Sequence, residues 1–182
     1  ESSFAIVDWI ASLTIKLSKN KGSKTPGIDG VHLNKHTTSQ EKIKLVEWLK
    51  QNIKNKNYKS MAVKRVFINK TNGKKRPLGI PTIKDRALQQ LITFVLEPLV
   101  EMTSDFHSYG FRRFRSAKNA IGKIRASLLG QDMQKKWILD ADIKGFFDHV
   151  NHQWLEENIW LPTTMKAILK SWLISGSIYR EK

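Results

Sequence analysis

The sequence predicts an α+β fold that is rich in helix and contains one basic β-hairpin. Three observations support this class. Several segments repeat apolar residues at helical spacing, an Asn-Gly pair at positions 72–73 joins two β-prone stretches, and an isolated apolar run near residue 138 is typical of a separate strand. Helices around one hairpin and one distant strand favour α+β over a doubly wound parallel sheet.

The composition indicates a polyanionic partner. The chain has 182 residues, with 32 Lys and Arg against 16 Asp and Glu, which gives a formal charge of +16. Such an excess points first to nucleic acid. No long apolar stretch or signal peptide indicates a membrane partner. The lack of cysteine excludes disulfides and Cys-based zinc sites, and it fits a reducing compartment.

The first third of the chain predicts two helices separated by a tight loop. Residues 3–18 have the apolar spacing of an amphipathic helix. Residues 24–30 combine one Pro, two Gly and one Asp, which predicts an unusual turn, although the simplest interpretation is a plain connector. Thr38 and Glu41 have capping-box spacing, so a basic surface helix should begin there and run to about Ile53.

Residues 63–80 predict a β-hairpin with basic walls, because alternating β-prone residues flank the Asn-Gly turn. Six cations and no acid occur in this stretch. Cationic strands can donate to phosphate oxygens, as a movable clamp on a triphosphate would require. They can equally protect sheet edges from aggregation, and both explanations remain open. The six cations are Lys64, Arg65, Lys70, Lys74, Lys75 and Arg76.

Two helices and an aromatic, arginine-rich loop come next. Thr82 should start a helix that runs to about Glu101, with Asp85 at a capping position. Residues 106–116 interleave aromatics with arginines, which suits stacking on single-stranded bases, with Arg112 and Arg115 as candidate nucleic-acid contacts. Aromatics in such a segment are more often core. A helix over residues 116–129 should turn one face inward, formed by Ala120, Ile124, Ser127 and Leu128.

The last part of the chain predicts a strand that ends in a carboxylate. The apolar run from Trp137 to Leu139 leads to Asp142 and a turn at Gly145. A carboxylate at the end of a strand suits Mg²⁺, a hard ion that takes oxygen ligands, but Asp142 could equally cap the turn. Helices are expected over residues 151–160 and 163–174, with Thr163 as N-cap, followed by a turn at 175–177. The expected core positions of the last helix are Ile168, Leu169, Trp172 and Leu173.

Four ordered motifs resemble those of the group II intron-encoded reverse transcriptases, also called maturases. They are KTPGIDG (24–30), KKRPLGIPTIKDRALQQ (74–90), FHSYGFRRFRSAKNAI (106–121) and DADIKGFFDHVNH (140–152). The resemblance extends over roughly residues 23–176. It implies a right-hand polymerase, with a helical extension at 1–22, fingers at 23–135 and the beginning of a palm at 136–182.

The same resemblance implies roles for individual residues. Asp142 matches the first catalytic aspartate and would share a metal with the Ile143 carbonyl. Phe147 matches the steric gate that excludes a 2′-hydroxyl, and Asp148 matches a structural carboxylate. Residues of the fingers motif near the incoming triphosphate are Lys74, Lys75 and Arg76, with Lys84 and Arg86 close by. The loop that includes Gly27, Asp29 and Gly30 matches an N-terminal motif near template and primer.

The implied reaction is RNA-directed DNA synthesis. Two Mg²⁺ ions would activate the primer 3′-hydroxyl and stabilise the leaving pyrophosphate. The family supplies further aspartates from a Tyr-Ala-Asp-Asp-type hairpin, whereas this sequence contains no adjacent Asp pair. We therefore expect the chain to be part of a longer polymerase and to be inactive alone. The implied partners are group II intron RNA, an RNA template with a DNA primer, and dNTPs; a homodimer is allowed, and family habit places the protein in the bacterial cytoplasm.

Two other functions are compatible with the residues. One is a non-catalytic RNA-binding splicing factor derived from a reverse transcriptase, which explains the charge and needs no further aspartates. The other is a hydrolytic metal site, for which the available ligands are Asp140, Asp142, Asp148, His149 and His152.

Overall fold

The predicted α+β class is confirmed by a computed structural model. It describes Leu17, residues 19–33, 37–69, Thr71, and residues 73–129 and 137–179. The helix predicted over residues 3–18 lies almost wholly outside this range. In the described part the chain forms five α-helices and three strands, in the order α1 (Ser39–Asn52), β1 (Val63–Asn69), β2 (Lys75–Ile80), α2 (Ile83–Thr103), α3 (Ala117–Leu128), α4 (His152–Asn158), α5 (Thr163–Ile174) and β3 (Ser177–Tyr179).

Side-chain caps fix where α1 and α3 begin. The Thr38 hydroxyl accepts from the Glu41 amide, and the Glu41 carboxylate accepts from the Thr38 amide, which confirms the predicted capping box. Ser116 and Asn119 form the equivalent pair at the start of α3. The prediction that Thr163 caps α5 is wrong by one position, because Pro162 precedes the helix and Thr163 is its first residue.

The sheet has the order β2-β1-β3. Strands β1 and β2 form the predicted antiparallel hairpin, in which Lys64 pairs with Ile80 and Asn69 with Lys75. Strand β3 runs parallel to β1, with Val63 opposite Ser177. The sequence predicted only a turn at 175–177, because a three-residue strand carries too few residues to show an alternating pattern.

The chain divides into two compact units. The first lies within Glu1–Val95 and His152–Lys182, and the second within Leu96–Asn151. The boundaries expected for fingers and palm stay a prediction. The apolar core of the first unit joins α1, α2 and α5, and its buried members include Leu49, Leu88, Leu91 and Ile168. Of the four core positions predicted in α5, Ile168 is buried and the other three are partly exposed.

The second unit contains no buried apolar side chain among its described residues. Its α3 helix is amphipathic, but the predicted inward face lines an open groove. The groove has a volume of about 700 Å³, and residues 137–139 also line it. Ile124 remains more than half exposed there.

The strand predicted at Trp137–Leu139 is wrong in the described structure. Residues 137–143 are exposed and have no regular secondary structure, and they pair with none of the three described strands. A strand needs a neighbouring edge for its hydrogen bonds, so apolar and β-prone residues alone do not create one. None of the described helices is both long and apolar enough to span a membrane.

Candidate metal and nucleic-acid sites

Asp142 lies on an exposed segment without regular secondary structure, immediately before a tight turn. Gly145 makes the turn in the left-handed region, with φ 65°, and the single 3-10 turn Phe146–Asp148 follows. The Asp148 amide donates to the Gly145 carbonyl at 3.0 Å, and His149 Nδ1 donates to the same oxygen at 2.7 Å. A β-carbon at Gly145 would lie only 3.1 Å from the His149 ring. The turn thus leaves the Asp142 carboxylate open to solvent.

The oxygen atoms at Asp142 are ligands of the kind that a magnesium ion prefers. Its carboxylate and the neighbouring Ile143 carbonyl are hard oxygen donors, and Mg²⁺ commonly binds one or two carboxylates together with substrate phosphates and water. In the described part of the chain, no three His, Asp or Glu side chains come close enough to hold a metal ion. The hydrolytic alternative built on Asp140, Asp148 and the two histidines therefore lacks the cluster it needs.

Phe147, five residues after Asp142 in the sequence, presents its ring to solvent. The side chain is 75% exposed. Its ring contacts Phe146 edge-on at a centroid distance of 5.3 Å, and Phe111 edge-on at 6.3 Å. An exposed ring on a turn held by backbone hydrogen bonds is available to contact a ligand, and the role of steric gate stays a prediction.

The predicted triphosphate residues of the hairpin lie close to its turn. Gly73 adopts φ 75°, and Lys75 and Arg76 begin β2 opposite Asn69 and Ile68. Lys74, Lys75 and Arg76 are all exposed. Because neighbouring residues in a strand point to opposite faces, Lys75 and Arg76 offer one cation to each side of the hairpin.

Arg86 holds the loop before α1 rather than pointing into open solvent. Its Nη1 donates to the Gly22 carbonyl at 2.7 Å, its Nη2 to the Thr25 carbonyl and its Nε to the Pro81 carbonyl at 3.0 Å. Burial lowers the pKa of the Arg86 guanidinium, and the nearby Asp29 carboxylate opposes that shift. The contact of Arg86 with triphosphate stays a prediction, whereas its hydrogen bonds to the three backbone carbonyls are present in the structure.

The loop predicted near template and primer is packed against the start of α2. A β-carbon at Gly27 would lie 2.8 Å from the backbone of Thr82, so only glycine fits. Gly30 has φ 72° with open space around it, and Asp29 accepts from the Val31 amide at 3.2 Å. The shape of this loop is therefore fixed, and its contact with nucleic acid stays a prediction.

A buried hydrogen-bond network centred on Asp85 was not predicted. Asp85 is 2% exposed, and its Oδ1 accepts from the Tyr58 hydroxyl and from Trp172 Nε1, each at 2.7 Å. Its Oδ2 accepts from the Thr82 hydroxyl at 2.7 Å. The sequence showed only the local Thr82 pairing, since nothing local marks partners 27 and 87 residues away. The neighbouring Lys84 places its ammonium 5.1 Å from the Trp48 ring centroid.

Arg112 and Arg115, the predicted nucleic-acid contacts, both turn back to Glu101. Arg112 forms a two-pronged ion pair, with Nη2 2.6 Å from Oε1 and Nε 2.9 Å from Oε2. Arg115 Nη2 reaches the same Oε1 at 3.0 Å. These hydrogen bonds hold the pKa of Glu101 below its usual range, with those from Arg112 the larger cause. The Arg112 side chain is only 5% exposed, so its guanidinium serves the loop itself.

The loop held by Glu101 carries outward-facing aromatics. Phe111 and Phe114 adopt φ 57° and 62°, and both rings are almost fully exposed. Arg113 Cζ lies 5.0 Å from the Phe114 ring centroid. The sequence predicted aromatics interleaved with arginines here, but it did not show which of them face outward.

Comparison with known proteins identifies the family of this chain. A family model described as reverse transcriptase (RNA-dependent DNA polymerase) matches residues 68–182, which is more than half of the chain. Protein YkfC of Escherichia coli is 36% identical over 152 residues, covering 81% of this chain and 39% of that protein. Group II intron-encoded protein LtrA of Lactococcus lactis is 37% identical over 142 residues, covering 75% of this chain and 21% of that protein.

This chain belongs to the reverse transcriptase family. The resemblance to its group II intron-encoded members is confirmed by the relatives, which also include nuclear intron maturase 1 of Arabidopsis thaliana, 30% identical over 71 residues. That match covers 39% of this chain and 9% of the plant protein. The chain thus spans less than half the length of each of these three relatives.

Proposed function

We propose that this chain is part of an RNA-directed DNA polymerase that also binds group II intron RNA to assist splicing and retrohoming. The family match over residues 68–182 carries the proposal. The relatives named for introns support the RNA substrate, and the charge of +16 supports a polyanionic partner. A bacterial cytoplasm is the proposed location, which the two bacterial relatives support, and a homodimer stays a prediction.

In this proposal Asp142 and the Ile143 carbonyl hold magnesium. When bound, the metal lowers the negative charge on the reacting oxygens of a phosphoryl transfer. The exposed cations Lys74, Lys75 and Arg76 donate to triphosphate oxygens. The Phe147 ring occupies the space that a 2′-hydroxyl would need, which selects dNTPs.

The internal contacts favour positioning roles for three predicted site residues. Arg86 orders the loop of Gly27, Asp29 and Gly30 through the backbone carbonyls of that region. Arg112 and Arg115 order the loop between α2 and α3 through Glu101. Lys84, beside Trp48, is left as a surface cation whose contact with triphosphate rests on the resemblance alone.

Primer extension by the full-length natural protein tests the proposal. With a primed RNA, dNTPs and Mg²⁺, we expect Asp142→Asn to lower the extension rate by at least ~1,000-fold, because electrostatic stabilisation at the reacting phosphate is lost. Asp140→Asn is the matched control, since Asp140 is equally exposed on the same segment. Extension that survives Asp142→Asn, or that fails equally in the control, would contradict the assignment.

The same variant separates polymerase from RNA-binding activity. A non-catalytic splicing factor predicts no extension in the unmodified protein and RNA binding that Asp142→Asn leaves unchanged. An RNA-directed polymerase predicts extension in the unmodified protein and its loss in the variant, with RNA binding retained in both.

A further inference from the structure

The loop between α2 and α3 displays two phenylalanine rings in an unfavourable conformation. Phe111 and Phe114 are the positive-φ non-glycine residues of the described chain. A bulky residue in the left-handed region is strained, because its β-carbon crowds the backbone. Both rings are also left in water, where apolar surface is least stable. The Phe111 ring contacts Phe147 edge-on and the Phe114 ring lies against Arg113, but both rings stay almost fully exposed, so the strain points to a function.

The two exposed rings are held in place because hydrogen bonds within the loop fix its backbone. Arg112 donates to the Asp105 carbonyl at 2.6 Å and to the Ser108 carbonyl at 3.2 Å, in addition to its ion pair with Glu101. Arg115 donates to the Phe106 and Ser108 carbonyls and also reaches Glu101. Phe111 therefore directly precedes one anchored arginine and Phe114 directly precedes the other, and little ordering is needed when a ligand binds.

The surroundings of the rings identify the ligand as anionic. Of the six basic residues between Phe106 and Leu129, Arg112 and Arg115 pair with Glu101, whereas Lys118, Lys123 and Arg125 of α3 are exposed. Arg113 lies against the Phe114 ring, and its side chain is 53% exposed despite an ion pair with Glu97 at 3.3 Å. A ligand with flat apolar faces and regularly spaced negative charges fits both features. Nucleic acid has that chemistry, and bases in a duplex already cover their faces, so the ligand is an unpaired strand.

We propose that Phe111 and Phe114 form a stacking platform for unpaired bases of single-stranded RNA, with Arg113 and the cations of α3 contacting its phosphates. Arg112 and Arg115 are positioning residues of this platform. Only the identification of the strand as RNA rests on the proposed function. The edge contact between Phe111 and Phe147 makes the platform continuous with the residue predicted to sense the nucleotide sugar.

Photocrosslinking locates the contact directly. Short single-stranded RNA carrying 5-iodouridine, bound to the full-length protein and irradiated, should crosslink to Phe111 or Phe114, because this base reacts with an aromatic ring on which it stacks. Mass spectrometry identifies the modified residue. Crosslinks found only outside residues 105–116 would overturn the proposal, as would tighter binding of the matching single-stranded DNA.

Binding measurements separate stacking from phosphate contact. The double variant Phe111→Leu with Phe114→Leu keeps apolar bulk and removes both aromatic faces, and we expect roughly tenfold weaker binding or more for intact RNA. Binding of an abasic RNA of the same length should not change. Phe106→Leu is the control, because that ring is already held by Arg115 at 5.4 Å. Equal losses for intact and abasic RNA, or no loss, would contradict stacking.

The Phe114→Gly variant tests whether the Phe114 ring binds RNA or only stabilises the loop. Glycine adopts φ 62° without strain, so the melting temperature should stay the same or rise while RNA binding falls. A ring that only stabilises the loop predicts a lower melting temperature instead. The stacking platform and the proposed function can be refuted separately. Crosslinks at Phe111 or Phe114 without primer extension would exclude the polymerase activity. Primer extension without those crosslinks would exclude the platform.

Discussion

Glu101 organises the residues around it through two arginines. Its carboxylate accepts from Arg112 and Arg115, and the two guanidinium groups then reach the carbonyls of residues 105–108. An ion pair at a surface is usually weak, but a two-pronged pair whose arginine is nearly buried is fixed in one geometry. Since no apolar side chain is buried among the described residues of this unit, this polar cluster, and not an apolar core, holds the loop in place.

Acid should weaken this cluster. The arginine hydrogen bonds lower the pKa of Glu101 from its ordinary value of 4.5, so the folded state binds the proton less tightly than the unfolded state. The stabilisation is present above pH 4.5 and is lost as the pH falls through the lowered pKa. Thermal unfolding between pH 6 and pH 3 should show a smaller acid-dependent fall for Glu101→Gln than for the native protein.

Glu97→Gln is the control for this prediction. Glu97 has one ion pair with an arginine that is half exposed, so its removal should change the acid dependence much less. Parallel pH profiles for the native protein and Glu101→Gln would show that the carboxylate does not stabilise the loop.

At the scale of elements, Asp85 connects, through hydrogen bonds, segments that are distant in sequence. It connects the first turn of α2 with Tyr58, which follows α1, and with Trp172 in α5. A buried carboxylate is costly unless its oxygens are satisfied, and three side-chain donors satisfy this one. The hydrogen bonds between Ser60 and Ser171, at 2.7 and 2.8 Å, reinforce the same connection.

Tyr58→Phe should destabilise the first unit by about 1–2 kcal/mol, because a buried charged acceptor loses one donor. Burial and then the Asp85 hydrogen bond raise the pKa of Tyr58 above its ordinary value of 10.0. The folded state thus binds this proton more tightly. The stabilisation is complete below pH 10 and declines above it. Urea unfolding at pH 8 and pH 11 should show a smaller alkaline loss in the variant, and identical losses would contradict the network.

The packing of the loop against α2 gives a second prediction at this scale. Gly27→Ala should cost about 2–3 kcal/mol, because the new methyl group would meet backbone atoms at 2.8 Å. Gly30→Ala is the matched control, with open space but φ 72°, and it should cost only about 1 kcal/mol from backbone strain. Chemical denaturation measures both, and an equal or larger cost at Gly30 would show that dihedral strain dominates.

At the scale of the whole molecule, charge should govern RNA affinity. Each phosphate contact contributes about −0.7 to the slope of log K against log salt for a single strand, so four contacts give a slope of about −3. Arg76→Gln should make the slope shallower by about 0.7 if the hairpin binds phosphate. The double Phe-to-Leu variant should weaken binding with little change in slope, and a flat salt dependence in the native protein would exclude a phosphate-dominated interface.

Local patterns predicted most of the elements. The capping box at Thr38, the hairpin around Gly73 and the helix from Ile83 onward follow from neighbouring residues, and the structure confirms them. The strand predicted at 137–139 was wrong, and β3, which is too short to show an alternating pattern, was missed. Strand formation depends on an edge supplied by another part of the chain, and no local pattern reports whether that edge is present.

By itself the sequence determined the α+β class, the family motifs and the residue types of the candidate sites. Only the tertiary structure decided how those residues are used: Arg112 and Arg115 pair with Glu101, Arg86 holds a loop, and Phe111 and Phe114 face solvent. The sequence fixes the chemistry of each side chain, whereas folding decides which groups lie within hydrogen-bond distance of one another. An arginine that could bind phosphate is committed elsewhere once folding brings a carboxylate or carbonyl within hydrogen-bond reach.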